Sequence, residues 1–401
     1  MSAPAAISLD EAWALLLAEA EPLEGESVPV AEALGCYAAS DVLARRTQPA
    51  ADLSAMDGYS VGADDLFGPW RVVGESAAGR PYEGKLAAGE AIRISTGARM
   101  PDGGGAVLLQ ENAERDGNTL RLANDDGPTA RHIRRKGFDF GKGDTLLEAG
   151  QRIGAAQVAL AIMGGNAALD ATRRPALAVI DSGSELAADP SRVAAHQLPA
   201  SNGPMVLAMA APFVFSARRI GPVPDDLGAL VEALESAGDA DVIVTSGGAS
   251  VGDHDLIRPA LERWGAQIGF WRVAIKPGKP LLVARRGKQI VLGLPGNPVS
   301  AYVTAYLFLL PLLRRLSGAV SPLPVPTPVR VAAAMPAVGS RTEFVRARLG
   351  PDGAMPVDEQ DSSALRALSR ADFLIRRDAG ATEVVAGTTH SAYLLENGGI
   401  A

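Results

Sequence analysis

Residues 241–255 read D-V-I-V-T-S-G-G-A-S-V-G-D-H-D, a β-branched run that breaks into a glycine-rich loop ending in acids. The run has the length and composition of a strand buried on both faces, as in a parallel sheet. Working outward, the same pattern recurs. Ala176–Ile180 (A-L-A-V-I) leads into D-S-G-S-E-L at Asp181–Leu186, and two further loops follow apolar runs: K-P-G-K-P at Lys276–Pro280 and G-L-P-G-N-P at Gly293–Pro298. Between these runs, D-D-L-G-A-L-V-E-A-L-E-S-A at 225–237 places apolar residues at 227, 230, 231 and 234, the spacing of an amphipathic helix. Strands alternating with helices predict a doubly wound α/β unit over 173–318. Such sheets bind ligands outside the carboxyl ends of their strands. Four loops there, with backbone donors, Lys276 and Lys279, describe a pocket for an anion.

The flanking sequence has a different texture. Residues 8–20 predict a helix with Ser8 as N-cap and Glu11 three positions on, and Val30–Leu43 has a similar helical character. From 47 to 147 short β-prone pieces such as W-R-V-V-G and E-A-I-R-I-S-T-G alternate with Gly, Pro and Asp, which predicts a compact β domain. There D-G at Asp57-Gly58 reads as a hairpin turn. An Ala-rich helix is expected over 153–170, so residues 1–46 with 148–172 form a helical linking region around the inserted β domain. Ser321–Pro328 (S-P-L-P-V-P-T-P) reads as a semi-rigid linker, and the runs beyond it predict a small β domain over 326–401.

Composition narrows the function classes. A chain of 401 residues exceeds one ordinary core, and 38 Lys plus Arg against 46 Asp plus Glu argues against a nucleic-acid binder. Val299–Leu313, about 15 residues, falls short of the roughly 20 that span a bilayer, so a buried helix is expected and no membrane partner. One cysteine, Cys36, and no secretory pattern fit a reducing, cytoplasmic setting. The four histidines show no zinc-ligand spacing, and Ser182 lacks the G-x-S-x-G elbow of a hydrolase.

Six motifs in this order, A-M-D-G-Y-S-V (55–61), S-T-G-A-R-M-P (95–101), G-x-D ending at Asp139, S-G-G-A-S-V-G-D-H-D (246–255), I-K-P-G-K-P (275–280) and G-L-P-G-N-P-V-S-A (293–301), resemble the molybdopterin molybdenumtransferases. That family includes bacterial molybdenum-insertion enzymes and gephyrin-like E domains. The resemblance implies insertion of molybdate into adenylylated molybdopterin, giving molybdenum cofactor and AMP with Mg2+ assisting. It implies a homodimer whose site joins the α/β unit of one subunit to the inserted β domain of the other. It also suggests the molybdopterin adenylyltransferase as a partner. Carried onto this sequence, the active-site positions are Asp57, Thr96, Glu185, Asp255, Lys276 and Lys279, with Asp139 a lesser candidate. Ser246, Gly247, Gly248, Ser250, Pro295, Gly296, Asn297 and Pro298 would hold the pterin substrate, and Glu185 with Asp255 a metal. Three positions depart from the family pattern: Ser184 stands where S-T-G-D-E has an acid, Ala200 where a carboxylate is common, and Phe138 where G-E-D-I has glutamate. Those losses frame the alternative, a non-catalytic paralogue that binds the cofactor or acts as a scaffold.

Overall fold

The computed structural model describes residues 6–247 and 256–395. Its centre is a six-stranded sheet whose strands are β1 (Ala176–Ser182), β2 (Ser216–Val223), β3 (Val242–Ser246), β4 (Gln267–Arg272), β5 (Pro280–Arg286) and β6 (Gln289–Leu294). The order is β2-β1-β3-β6-β5-β4. The first four run parallel, while β5 is antiparallel to both β6 and β4. Side chains along each strand alternate between two cores, as the two-residue period of a strand requires. Leu177, Val179, Val242, Val244, Ile290 and Leu292 pack on one face; Ala178, Ile180, Ile243 and Val291 pack on the other.

The second face is covered by the helices Leu227–Ser236 and Ile257–Arg263. Asp226 caps the first, its side chain accepting from Ala229 N. The first face carries the helices Asn202–Ala210 and Leu9–Ala18 and a long one, Pro298–Leu316. The N-terminal helix therefore belongs to the α/β core. Its predicted cap holds, with Ser8 Oγ accepting from Glu11 N at 3.2 Å.

Pro298–Leu316 is apolar and long enough to cross a membrane, yet 89% of its most apolar window is buried inside the protein, as a core helix would be. Its middle, Ala305–Leu309, is a π turn placed just before Pro311. Proline has no N–H to give to the carbonyl four residues back, and local π adjustment is a common response. The carbonyl in question is Leu307 O, and the Trp13 indole donates to it at 2.7 Å. An interior backbone group is satisfied from another helix.

Several expectations change. Val30–Leu43 is not helical: Val30–Glu32 is a single 3₁₀ turn, followed by short strands at Tyr37–Ala38 and Val42–Leu43. The helix expected over 153–170 spans Ala155–Met163 and stops at Gly164-Gly165, where Gly165 takes a positive φ of 85°. Ala168–Thr172 then forms the middle of a three-stranded sheet between Gly25–Pro29 and Tyr37–Ala38. The linking region thus combines the Ala155–Met163 helix with short strands. Alternating small and apolar residues here favour pairing over helix once a partner strand is available.

The β-rich part folds around a six-stranded sheet containing Gly58–Val61, Trp70–Ser76 and Glu90–Ile94. Asp57-Gly58 is not a hairpin turn. Gly58 opens a strand pressed so closely on its neighbour that a Cβ there would lie 2.0 Å from Leu108 O. Glycine is required for close approach at this position. At the other end of the chain, Ser321–Pro326 is irregular, and Thr327–Arg330 becomes the edge strand of the C-terminal sheet, an edge being where Pro328 is tolerated. Trp13→Phe is expected to lower stability by about 1–3 kcal/mol by leaving Leu307 O without its donor. Urea unfolding checks this, and a midpoint unchanged from the parent protein would mean that the indole bond does not matter.

Candidate functional site

A cavity of about 740 Å³ opens at the carboxyl edge of the parallel strands. Three predicted loops line it: Asp181–Leu186 after β1, Ser246 and Gly247 after β3, and Pro295–Pro298 after β6. K-P-G-K-P reaches the same edge by a different route. It precedes β5, and because β5 runs antiparallel, its amino end lies beside the carboxyl end of β6. Only Pro280 of that loop lines the cavity.

Lys276 is turned elsewhere. Ile275–Lys276 pairs with Thr342–Glu343 of the C-terminal sheet, and Lys276 Nζ meets Glu343 Oε1 at 3.0 Å. The Lys276 charge is thereby balanced by an acid of the C-terminal sheet. Lys279 is exposed and forms no ion pair among the described residues. Gly278 lies between them with φ +105° and no room for a Cβ, which would come 2.6 Å from Thr304 Cγ2.

The cavity floor is polar and tightly built. Asp181 is 1% exposed, accepting from Arg219 Nε at 2.6 Å and Gly203 N at 2.9 Å. Burial pushes its carboxyl above the usual range, and Arg219 and the Gly203 amide pull against it. Ser182 Oγ and Thr245 Oγ1 are buried without hydrogen-bond partners, and Ser182 lies in the cavity lining. Asn202 Nδ2 donates to Gly296 O, while Asn297 Nδ2 reaches Ser362 Oγ, so the C-terminal part supplies a wall through Ser363 and Leu365.

Glu185 lines the cavity beside Gly183, whose φ of 150° and contact with the Glu185 carboxylate exclude a side chain. Ser184, where an acid was expected, forms a reciprocal pair: its N–H donates to Asp225 Oδ2, and its Oγ accepts from Asp225 N, both at 3.0 Å. Asp225 lines the cavity too. Sequence reasoning missed it. The available signal was the doublet Asp225-Asp226, of which only Asp226 serves as the helix cap.

Asp57 and Thr96 lie together, Thr96 N donating to Asp57 Oδ1 at 2.8 Å. Within one chain neither lines the cavity, and neither does the exposed Asp139. Phe138 stands 76% exposed. Ala200 lies in the cavity lining, its carbonyl accepting from Arg219. Gly248, Ser250 and Asp255 lie outside the described residues, as do Asp253 and His254. Among the described residues no three His, Cys, Asp or Glu side chains converge as a metal centre.

This architecture is one already known. Residues 7–165 match the MoeA N-terminal region (domain I and II), residues 178–315 a probable molybdopterin binding domain, and residues 328–395 the MoeA C-terminal region (domain IV). A molybdopterin molybdenumtransferase of Synechococcus elongatus is 34% identical over 401 residues, covering 95% of this chain and 98% of the relative. The chain belongs to the molybdopterin molybdenumtransferase family. A Haemophilus influenzae member is 34% identical over 317 residues, 78% of each chain. A solved molybdopterin biosynthesis MoeA protein from Pyrococcus horikoshii superposes with a TM-score of 0.83 at 25% identity, over 97% of this chain and all of that one.

Within this family frame the Asp181–Arg219 pair is a structural support under the cavity, and its linkage has a definite sign. A carboxyl raised in the folded state favours folding at low pH, and that contribution is lost as pH rises through the raised value. Removing Arg219 raises it further. Arg219→Met should cost about 3 kcal/mol in mildly alkaline buffer, where Asp181 is left charged and unpaired, and much less in acid. Unfolding of both proteins across pH checks this; a gap independent of pH would overturn it.

Proposed function

We propose that the protein inserts molybdate into adenylylated molybdopterin, yielding molybdenum cofactor and AMP, in the cytoplasm. The observation that carries this reading is the cavity at the sheet edge, where Glu185, Asp225, Ser182 and the Pro295–Pro298 corner face one ligand-sized space. Membership of the family supports the same chemistry.

Molybdate is a tetrahedral dianion, and replacing its oxo groups by dithiolene sulfurs sends oxygen out as water, which requires protons. Glu185 and Asp225 are the described acids able to relay them. The Ser300 amide, in the first turn of the Pro298–Leu316 helix and on the cavity wall, suits a substrate phosphate. Lys279, without an ionic partner among the described residues, suits an oxyanion. Mg2+ takes one or two carboxylates and completes its shell with water and phosphate oxygens. Glu185 and Asp225 fit that demand, with Asp255 as a further ligand candidate. Bound there, the ion would neutralise phosphate charge during release of AMP.

Asp57 and Thr96 are held to each other but away from this cavity, which favours a homodimer whose partner subunit presents them. The adenylyltransferase that makes the substrate is the expected partner for hand-over. A non-catalytic role is not favoured. Ser184, one of the three departures that framed it, anchors Asp225 at the cavity wall.

Turnover from purified adenylylated molybdopterin, molybdate and Mg2+ is the direct test. Glu185→Gln should reduce it by about 100-fold or more, and chelation should abolish it until Mg2+ returns. Formation of AMP and cofactor at an undiminished rate in that variant would remove Glu185 from the mechanism. Mixing inactive Asp57→Asn and Glu185→Gln subunits should restore about a quarter of the activity in a two-fold dimer with shared sites. No recovery from subunits shown to exchange would rule out the composite site.

A further inference from the structure

A second pocket, of about 410 Å³, lies where the three-stranded linking sheet, the end of the Pro298–Leu316 helix and the segment leading to the C-terminal sheet meet. Arg314, which lines it, is 16 residues along the helix from Pro298, so this pocket sits roughly 24 Å from the cavity described above. Its volume is within the range of small-molecule sites.

The floor is cationic. Tyr37, Arg152 and Arg314 face one another there, and strand pairing between Tyr37 and Arg152 fixes the first two. Burial pushes the Tyr37 hydroxyl up, while Arg314 and Arg152 pull it down. Burial lowers Arg314, Tyr37 and Tyr306 oppose this, and the Arg152 charge lowers it further. Two guanidiniums are therefore close enough to repel. Arg314 is anchored, with Nη1 donating to Pro322 O and its plane over the Phe213 ring. It also complements the negative end of its helix.

Arg152 has no such occupation. Its Nε is buried without a partner, and neither its guanidinium nor the Tyr37 hydroxyl makes a hydrogen bond among the described residues. Glu148 lies on the rim, exposed, and forms no ion pair with either arginine. Beside this floor the rim is apolar: Val320 and Val325 are exposed, and Leu323 is half-buried.

We propose that this pocket binds a small organic anion, a phosphate monoester or carboxylate whose charged head lies between Arg152 and the Tyr37 hydroxyl. Its apolar body rests on Val320, Leu323 and Val325. The head supplies the acceptors that Arg152 Nε and the tyrosine hydroxyl lack, and it separates the two guanidiniums electrostatically. Arg is suited to this task because its donors form a planar fork that matches phosphate and carboxylate.

Calorimetric titration of the full chain with phenyl phosphate and with inorganic phosphate tests it. Phenyl phosphate should bind more tightly than phosphate, and a second acidic probe, phenylacetate, should compete with it. Arg152→Met should weaken phenyl phosphate by at least about tenfold, the value of a lost charge-assisted hydrogen bond. Tyr37→Phe, a milder change, should weaken it severalfold and decides the matter if Arg152→Met does not fold. Ser182→Ala, which alters the lining of the other cavity, should leave this binding unchanged. Absence of binding, indifference to both Arg152→Met and Tyr37→Phe, or loss in Ser182→Ala would overturn the proposal.

Discussion

The helix from Pro298 to Leu316 is the constraint around which the remaining parts are arranged. It lies in the core on the sheet face that also receives the N-terminal helix. Trp13 donates to Leu307 O, Arg315 to Ala20 O, Tyr306 to Leu394 O, and Leu23 N to Leu316 O. Those four bonds tie it to the N-terminal segment and to the C-terminal sheet. Because nearly all of it is buried, a shift of this rod would break polar contacts that water could not replace. Its first residue lines the main cavity and its last turn lines the second pocket.

The main cavity follows from strand direction more than from any one motif. Parallel strands bring three loops to one edge, and the reversal at β5 adds the fourth from a strand running the other way. The loops are then braced by polar ties that cross between elements, such as Asp181 with Arg219 and Asn202 with Gly296. Such ties leave Ser182, Glu185 and Asp225 in place before any ligand arrives. Preorganisation of this kind lets binding energy go into the reaction instead of into ordering the site.

The α/β unit was readable because its strands are continuous apolar runs, and turn chemistry marked each loop after them. The linking region was not. Val30–Leu43 has helix-compatible residues, yet its strands pair with partners more than 100 residues on, Tyr37–Ala38 with Ala168–Thr172 and Val42–Leu43 with Thr145–Leu147. Distant pairing leaves little local trace. Asp57-Gly58 misled for a related reason: the glycine answers a close backbone approach from Leu108, which a dipeptide pattern cannot distinguish from a turn. At the site, the loops after β1, β3 and β6 were legible as an edge, whereas Asp225 was hidden. Its position follows from a hydrogen-bonded exchange with Ser184 across 41 residues, and in sequence it looks like half of a helix cap. The partner of Lys276 was invisible for the same reason, since Glu343 lies 67 residues away.

Lys276 occupies a strand that belongs to the C-terminal sheet, while the residues just after it enter the central one at Pro280. The K-P-G-K-P loop is thus a short strap between two sheets, anchored at one end by Glu343 and at the other by β5. A displacement of the C-terminal sheet would therefore be felt within four residues at Pro280, on the wall of the main cavity.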